Sequence, residues 1–159
     1  MITEREMRFM QMAVEQSRIG MEQGFGGPFG CVIVRGDEVI AKGFNRVASS
    51  NDPTAHAEVV AIREACKALE CFQLTDCEVY TSCEPCPMCM GAIYWARPKM
   101  VYYANTKQDA AQINFDDQFI YDELALPMTE RKLPIIHIEI SEAKQVFNAW
   151  DAKQDKTIY

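Results

Sequence analysis

Two short motifs, His56-Ala57-Glu58 and Pro85-Cys86-Pro87-Met88-Cys89, constrain this chain more than any other feature. Two thiols three residues apart lie on one face of a helical turn, so both can reach a single ion. The run over 87–96 reads as a helix, with Pro87 suited to its first position. Cys86 and Cys89 then fall at a helix N-terminus, where the macrodipole favours thiolate over thiol. His56 and Glu58, two residues apart, do not share a helix side face. Both can serve one ion only if the site lies off the end of their helix. The spacing therefore predicts two converging helix N-termini, one carrying His56 and the other Cys86 and Cys89. Three protein ligands leave a fourth position open for water, the arrangement of a catalytic zinc. A carboxylate beside that water, Glu58, can move its proton.

The rest of the chain supplies a frame for these motifs. Thr3 and Glu6 have the form of a capping box, and Phe9, Met10, Ala13, Val14 and Ser17 repeat at helical spacing, predicting a helix over 4–23. Val- and Ile-rich runs over 30–35 and 39–44 read as strands joined by a hairpin at Gly36-Asp37. A polar loop over 45–53 leads to a helix from Ala55 to about Leu69, capped by Thr54. Strands follow over 78–82, 99–104 and 134–140, and further helices over 119–126 and 142–150. Residues 105–118 read as a loop with a short helical turn. The alternation predicts an α/β fold of three α/β/α layers, with a mixed five-stranded sheet and helices on both faces. At 159 residues the expectation is one domain, 1–159.

Composition excludes some functions. A net charge of −7, with basic residues scattered, argues against a nucleic-acid backbone as partner and for an uncharged small molecule. Seven cysteines without a signal peptide point away from a disulfide framework and toward the cytoplasm. No apolar run is long enough to span a bilayer.

Two duller accounts compete for the thiols. Cys83, Cys86, Cys89 and His56 could close a structural Cys₃His zinc site, which leaves Glu58 without a task. A ferredoxin-type cluster run needs a further Cys-Pro where this chain has Ile93-Tyr94.

A His-x-Glu motif followed by Pro-Cys-x-x-Cys, in this order, is the signature of zinc deaminases. Over roughly Met7 to Ala104 the chain resembles the cytidine deaminase-like superfamily of zinc aminohydrolases. The stretches over 26–30, 51–58, 86–96, Phe115-Asp116-Asp117 and 119–121 narrow this to a resemblance to bacterial guanine deaminases, which convert guanine to xanthine and ammonia. That resemblance implies one Zn²⁺ per subunit on His56, Cys86 and Cys89. Water activated there attacks C2 of guanine while Glu58 shuttles its proton to ring N3. It further implies Asp117 for base recognition and protonation of the leaving amine, although by composition Asp116-Asp117 reads as a solvated loop pair. Asn45 is implied as the amide that reads guanine's polar edge, its plainer role being a turn residue. Phe29 and Trp95 are implied as walls for the purine, with Trp95 equally suited to plain core. The backbone of Ala57 and the terminal Tyr159 complete the implied substrate contacts. The expected assembly is a homodimer, with the segment about 141–159 closing an active site, plausibly the partner's in a C-terminal swap. A deaminase of tRNA adenosine, cytosine or an aminotriazine remains the alternative, followed by a structural zinc module. His137 reads as structural.

Overall fold

Helix α1 (Glu4–Glu22) opens the chain in the computed structural model, which describes residues 2–159. Its capping box is formed: the Thr3 N–H donates to Glu6 Oε2 at 2.7 Å and Thr3 Oγ1 accepts from the Glu6 N–H. A hairpin follows, β1 (Gly30–Arg35) and β2 (Glu38–Phe44), turning at Gly36 with φ 59°. A short helix, α2 (Val47–Ser50), precedes α3 (Ala57–Ala68). Then come β3 (Cys77–Cys83), α4 (Pro87–Ala96) and β4 (Met100–Asn105). Helices α5 (Lys107–Gln112), α6 (Gln118–Ala125) and α7 (Ser141–Ala152) complete the chain, with a 3₁₀ turn at Met128–Glu130.

The sheet order is β2-β1-β3-β4. Strand β1 pairs antiparallel with both neighbours, whereas β3 and β4 are parallel and need the α4 crossover between them. All but the last residue of β1 and every residue of β3 are buried, because both faces of the sheet are covered. On one face Phe9 and Ala13 of α1 meet Val32, Val34 and Tyr80. On the other, Ala57, Ala61 and Ala65 of α3 pack with Cys31, Ile33, Leu74, Val79 and Ala96. The expected α/β/α layering is therefore present. By contact the chain divides into two compact units, one ending at Gln118 and the other Phe119–Tyr159.

The sheet has four strands, not the expected five. Residues 134–140 form no strand. A strand exists only through a ladder that satisfies its N–H and C=O groups, and periodicity cannot supply the neighbour. Pro134 has no N–H to donate, and Ile135, Ile136, Ile138 and Ile140 all stay exposed. The loop expected over 45–53 contains α2, and α3 starts two residues later than expected, with His56 as its N-cap. Thr54 does not cap it, because its N–H and hydroxyl both donate to Asp52 Oδ1 at 2.8 and 2.7 Å.

Candidate active site

The site is built from two helix starts. His56 is the N-cap of α3 and Cys86 the N-cap of α4, with Pro87 at the first helical position behind it. The His56 side chain makes no capping bond to its own helix, which leaves it turned to other work. The first turn of α3 rests on β2 at Gly43, where a Cβ would come within 2.5 Å of the Ala57 carbonyl. A larger residue there would lift His56 away from the sheet.

His56 Nδ1 lies 3.6 Å from Cys86 Sγ and 3.4 Å from Cys89 Sγ. The three ligand atoms fall within 4.8 Å of one another. Tetrahedral zinc with ordinary Zn–N and Zn–S bonds places nitrogen and sulfur roughly 3.6 Å apart, so this donor set fits zinc with one position left over. Cys86 is held down to about 4 by the hydrogen bond from Cys89, against its own burial, with His56 adding to the effect. Cys89 is pushed up as the donor of that bond and by burial beside Glu58. The same contact with Cys86 raises His56.

Glu58 is buried in the first turn of α3. The Thr81 hydroxyl donates to its Oε1 at 3.1 Å, and Cys89 Sγ lies 3.4 Å from Oε2. Burial raises its pKa, as suits a carboxyl that both takes and gives a proton. Half-buried Asp117 is also raised, first by burial and then by the negative charge of Cys86. Its charge is in turn felt by His56. Asn45 is 5% exposed, and its Oδ1 accepts from the Val47 N–H at 3.1 Å. This Asx turn uses the carbonyl oxygen and leaves the Nδ2 donors for something else. The Asn45 N–H donates to the Phe29 carbonyl at 3.0 Å, tying the two residues together.

Residues 3–105 match the zinc-binding region of cytidine and deoxycytidylate deaminases. The chain belongs to that family. Its His56, Cys86 and Cys89 lie within that region and form a group that could hold a metal ion. Among characterised relatives, the Bacillus subtilis guanine deaminase is 54% identical over 151 residues, covering 95% of this chain and 97% of that one. A tRNA-specific adenosine deaminase of Aquifex aeolicus is 31% identical over 146 residues, covering 91% and 93%. The X-ray structure of the B. subtilis guanine deaminase superposes with a TM-score of 0.95 at 51% identity, across 99% of each chain.

The geometry of this zinc deaminase-family site removes the structural Cys₃His alternative. Among the described residues only His56, Cys86 and Cys89 form a ligand group. Cys83 instead donates to the Thr106 carbonyl at 3.6 Å and is pushed up to about 11 by burial. Trp95 lies nine residues beyond Cys86, about two and a half helical turns, on the exposed side of α4. Tyr159 and His137 are exposed in the second unit. Sequence reasoning missed Thr81. Its signal was a hydroxyl in a strand whose apolar neighbours left no water to satisfy it.

Proposed function

We propose that this chain catalyses zinc-dependent hydrolysis of guanine to xanthine and ammonia, as a cytoplasmic homodimer. The observation that carries this reading is the extent of the match to the B. subtilis guanine deaminase. It continues past residue 105, where the family region ends, through the segment bearing Asp117 and on toward the C-terminus.

His56, Cys86 and Cys89 would hold zinc, whose Lewis acidity would bring the pKa of the attacking water to near neutral, about 7. Glu58 accepts the proton of that water as its oxygen adds to C2. The Thr81 hydroxyl holds Oε1 in place and leaves the other carboxylate oxygen for the transfer. Glu58 then delivers the proton to ring N3. The C2–N bond then breaks as the amino group takes a proton from Asp117 and leaves as ammonia, while the C2 hydroxyl gives its proton back to Glu58 and becomes the xanthine carbonyl. Asp117, kept protonated more readily by its burial, suits that task. Asn45 presents Nδ2 to an acceptor on guanine, its O6 or N7. The Ala57 N–H, at the first helical position and without an intrahelical acceptor, makes a further contact to the base. Phe29 walls the purine ring.

We take 1–159 as one zinc domain whose segment about 141–159 closes the active site of a second copy. The support is an exposed apolar series, Val146, Phe147 and Trp150 on α7 with Ile158 and Tyr159 beyond it. Trp95, on the exposed side of α4, and Tyr159 join the substrate site in that dimer.

Ammonia release by zinc-loaded protein from guanine, adenine, cytosine, guanosine and ammeline tests the reading. Release is expected from guanine. Glu58→Gln is expected to lower it by about 10²–10⁴-fold with zinc retained. Release only from another substrate would discard the guanine assignment. An unchanged rate in Glu58→Gln would discard the proton shuttle.

A further inference from the structure

We infer that Phe115 is a positioning residue, whose ring, set against Gly27 and Phe29, fixes the segment that carries Asp117 at the purine wall. The inference rests on the guanine-deamination reading and adds to it a residue that no ligand contact would reveal.

The segment from Thr106 is anchored before it reaches Phe115. Helix α5 starts with a capping box, in which the Thr106 N–H and hydroxyl donate to Asp109 Oδ2 at 2.8 and 2.7 Å. The Lys107 N–H donates to Glu84 Oε2 at 3.1 Å, two residues before the ligand Cys86. The helix ends in a Schellman arrangement. Asn114 is left-handed at φ 69°, and its N–H meets the Ala111 carbonyl at 3.1 Å, while the Phe115 N–H reaches the Ala110 carbonyl at 3.0 Å. After Phe115, Asp116 Oδ1 accepts from the Gln118 N–H at 2.9 Å at the start of α6. Asp117 lies between these fixed points, so the direction in which the chain leaves α5 sets where its carboxyl falls.

The Phe115 ring determines that direction. It meets Phe29 edge to face, centroids 4.9 Å apart at 85°. It also lies over Gly27, where a Cβ would come 2.8 Å from Phe115 Cζ and 3.1 Å from Phe29 Cε2. The ring occupies the space that a side chain at 27 would need. Phe115 is nevertheless 45% exposed, too open to be explained as a core residue. Gly27 has no positive φ, so alanine fits its backbone and acts mainly by pushing the Phe115 ring, with a lesser push on Phe29.

The test is a set of variants assayed for guanine turnover and zinc content: Phe115→Ala, Phe115→Tyr, Gly27→Ala and the double Gly27→Ala/Phe115→Ala. A small misplacement of a catalytic group suffices for a loss on the order of ten- to a hundredfold. Phe115→Ala is expected to lower kcat by about tenfold or more, with KM changed much less and zinc unaffected. Phe115→Tyr keeps the ring but adds a hydroxyl on Cζ, the atom against Gly27, so it is expected to lower kcat as Gly27→Ala does. Gly27→Ala lowers kcat alone but adds little to Phe115→Ala, since the ring it displaces is gone. Additive effects, or an unchanged kcat in Phe115→Ala, would overturn the role. A rise in KM alone would make the ring a substrate contact and also overturn it. A wild-type enzyme inactive on guanine but active on another base fails the guanine reading, and the same variants compared on that base still decide the positioning role.

Discussion

The unit ending at Gln118 and the unit Phe119–Tyr159 use apolar side chains in opposite ways. In the first, Tyr80, Phe9, Ile33 and Leu74 are sealed on the two sides of one sheet. In the second, no described residue is buried, and Ile136, Ile138 and Phe147 are 76–81% exposed. Both contain well-formed helices, so secondary structure does not separate them. The difference lies in what each surface is packed against. The first unit carries its own core and can hold His56, Cys86, Cys89 and Glu58 at fixed separations. The second presents a large apolar surface of the kind that marks an interface.

The sharpest way to break this contrast is to shorten the second unit. Removing residues 153–159 is expected to leave zinc content and the fold of the first unit intact while lowering guanine turnover by about tenfold or more, through loss of site closure. Full activity would show that the C-terminal residues take no part in the site. A smaller effect separates the two kinds of apolar residue directly. Leu74→Ala opens a cavity in a fully buried position and is expected to cost about 2–5 kcal/mol in denaturant unfolding. Phe147→Ala is expected to change protomer stability by about 0.5 kcal/mol or less while weakening self-association, read by sedimentation. Equal losses in the two variants would erase the distinction.

The smallest effect concerns pH. Burial pushes the Glu78 carboxyl up, but hydrogen bonds from Arg5, Tyr80 and Lys99 outweigh it and hold the group below its ordinary 4.5. Arg5 Nη1 is 2.7 Å from Glu78 Oε2, and Lys99 Nζ is 3.2 Å from Oε1. A folded-state pKa below the unfolded one gives stability that is present above about pH 4.5 and lost as pH falls through the folded value. Acid unfolding of the wild type is therefore expected to steepen below that pH, and Glu78→Gln to flatten it. Identical acid profiles would remove Glu78 from the account.

What the sequence revealed follows the same divide. The strand over 30–35 and the helix over 87–96 were legible to the residue, because local cues and burial agree there: a β-branched apolar run, and Pro87 behind a capping Cys86. The convergence of two helix starts on one metal followed from spacing alone, and the three ligand atoms do meet. The start of α3 was misplaced because Thr54 has better capping chemistry than His56, yet Asp52 takes up both of its donors. The fifth strand failed for a different reason. The pattern of 134–140 fits a strand, but a pattern cannot name the chain that would pair with it. Thr81 escaped notice because its role depends on a carboxylate from helix α3, 23 residues earlier in the chain.

Helix α5 has a consequence for how this chain can vary. Six residues long, it is closed by a capping box at one end and a left-handed Asn114 at the other. Each added or deleted residue would turn everything beyond it by about 100° and shift it by about 1.5 Å. The segment thus works as a ruler between β4 and Asp117. Its surface letters can be exchanged, since only Ala110 among them is buried, but their number sets where Asp117 falls.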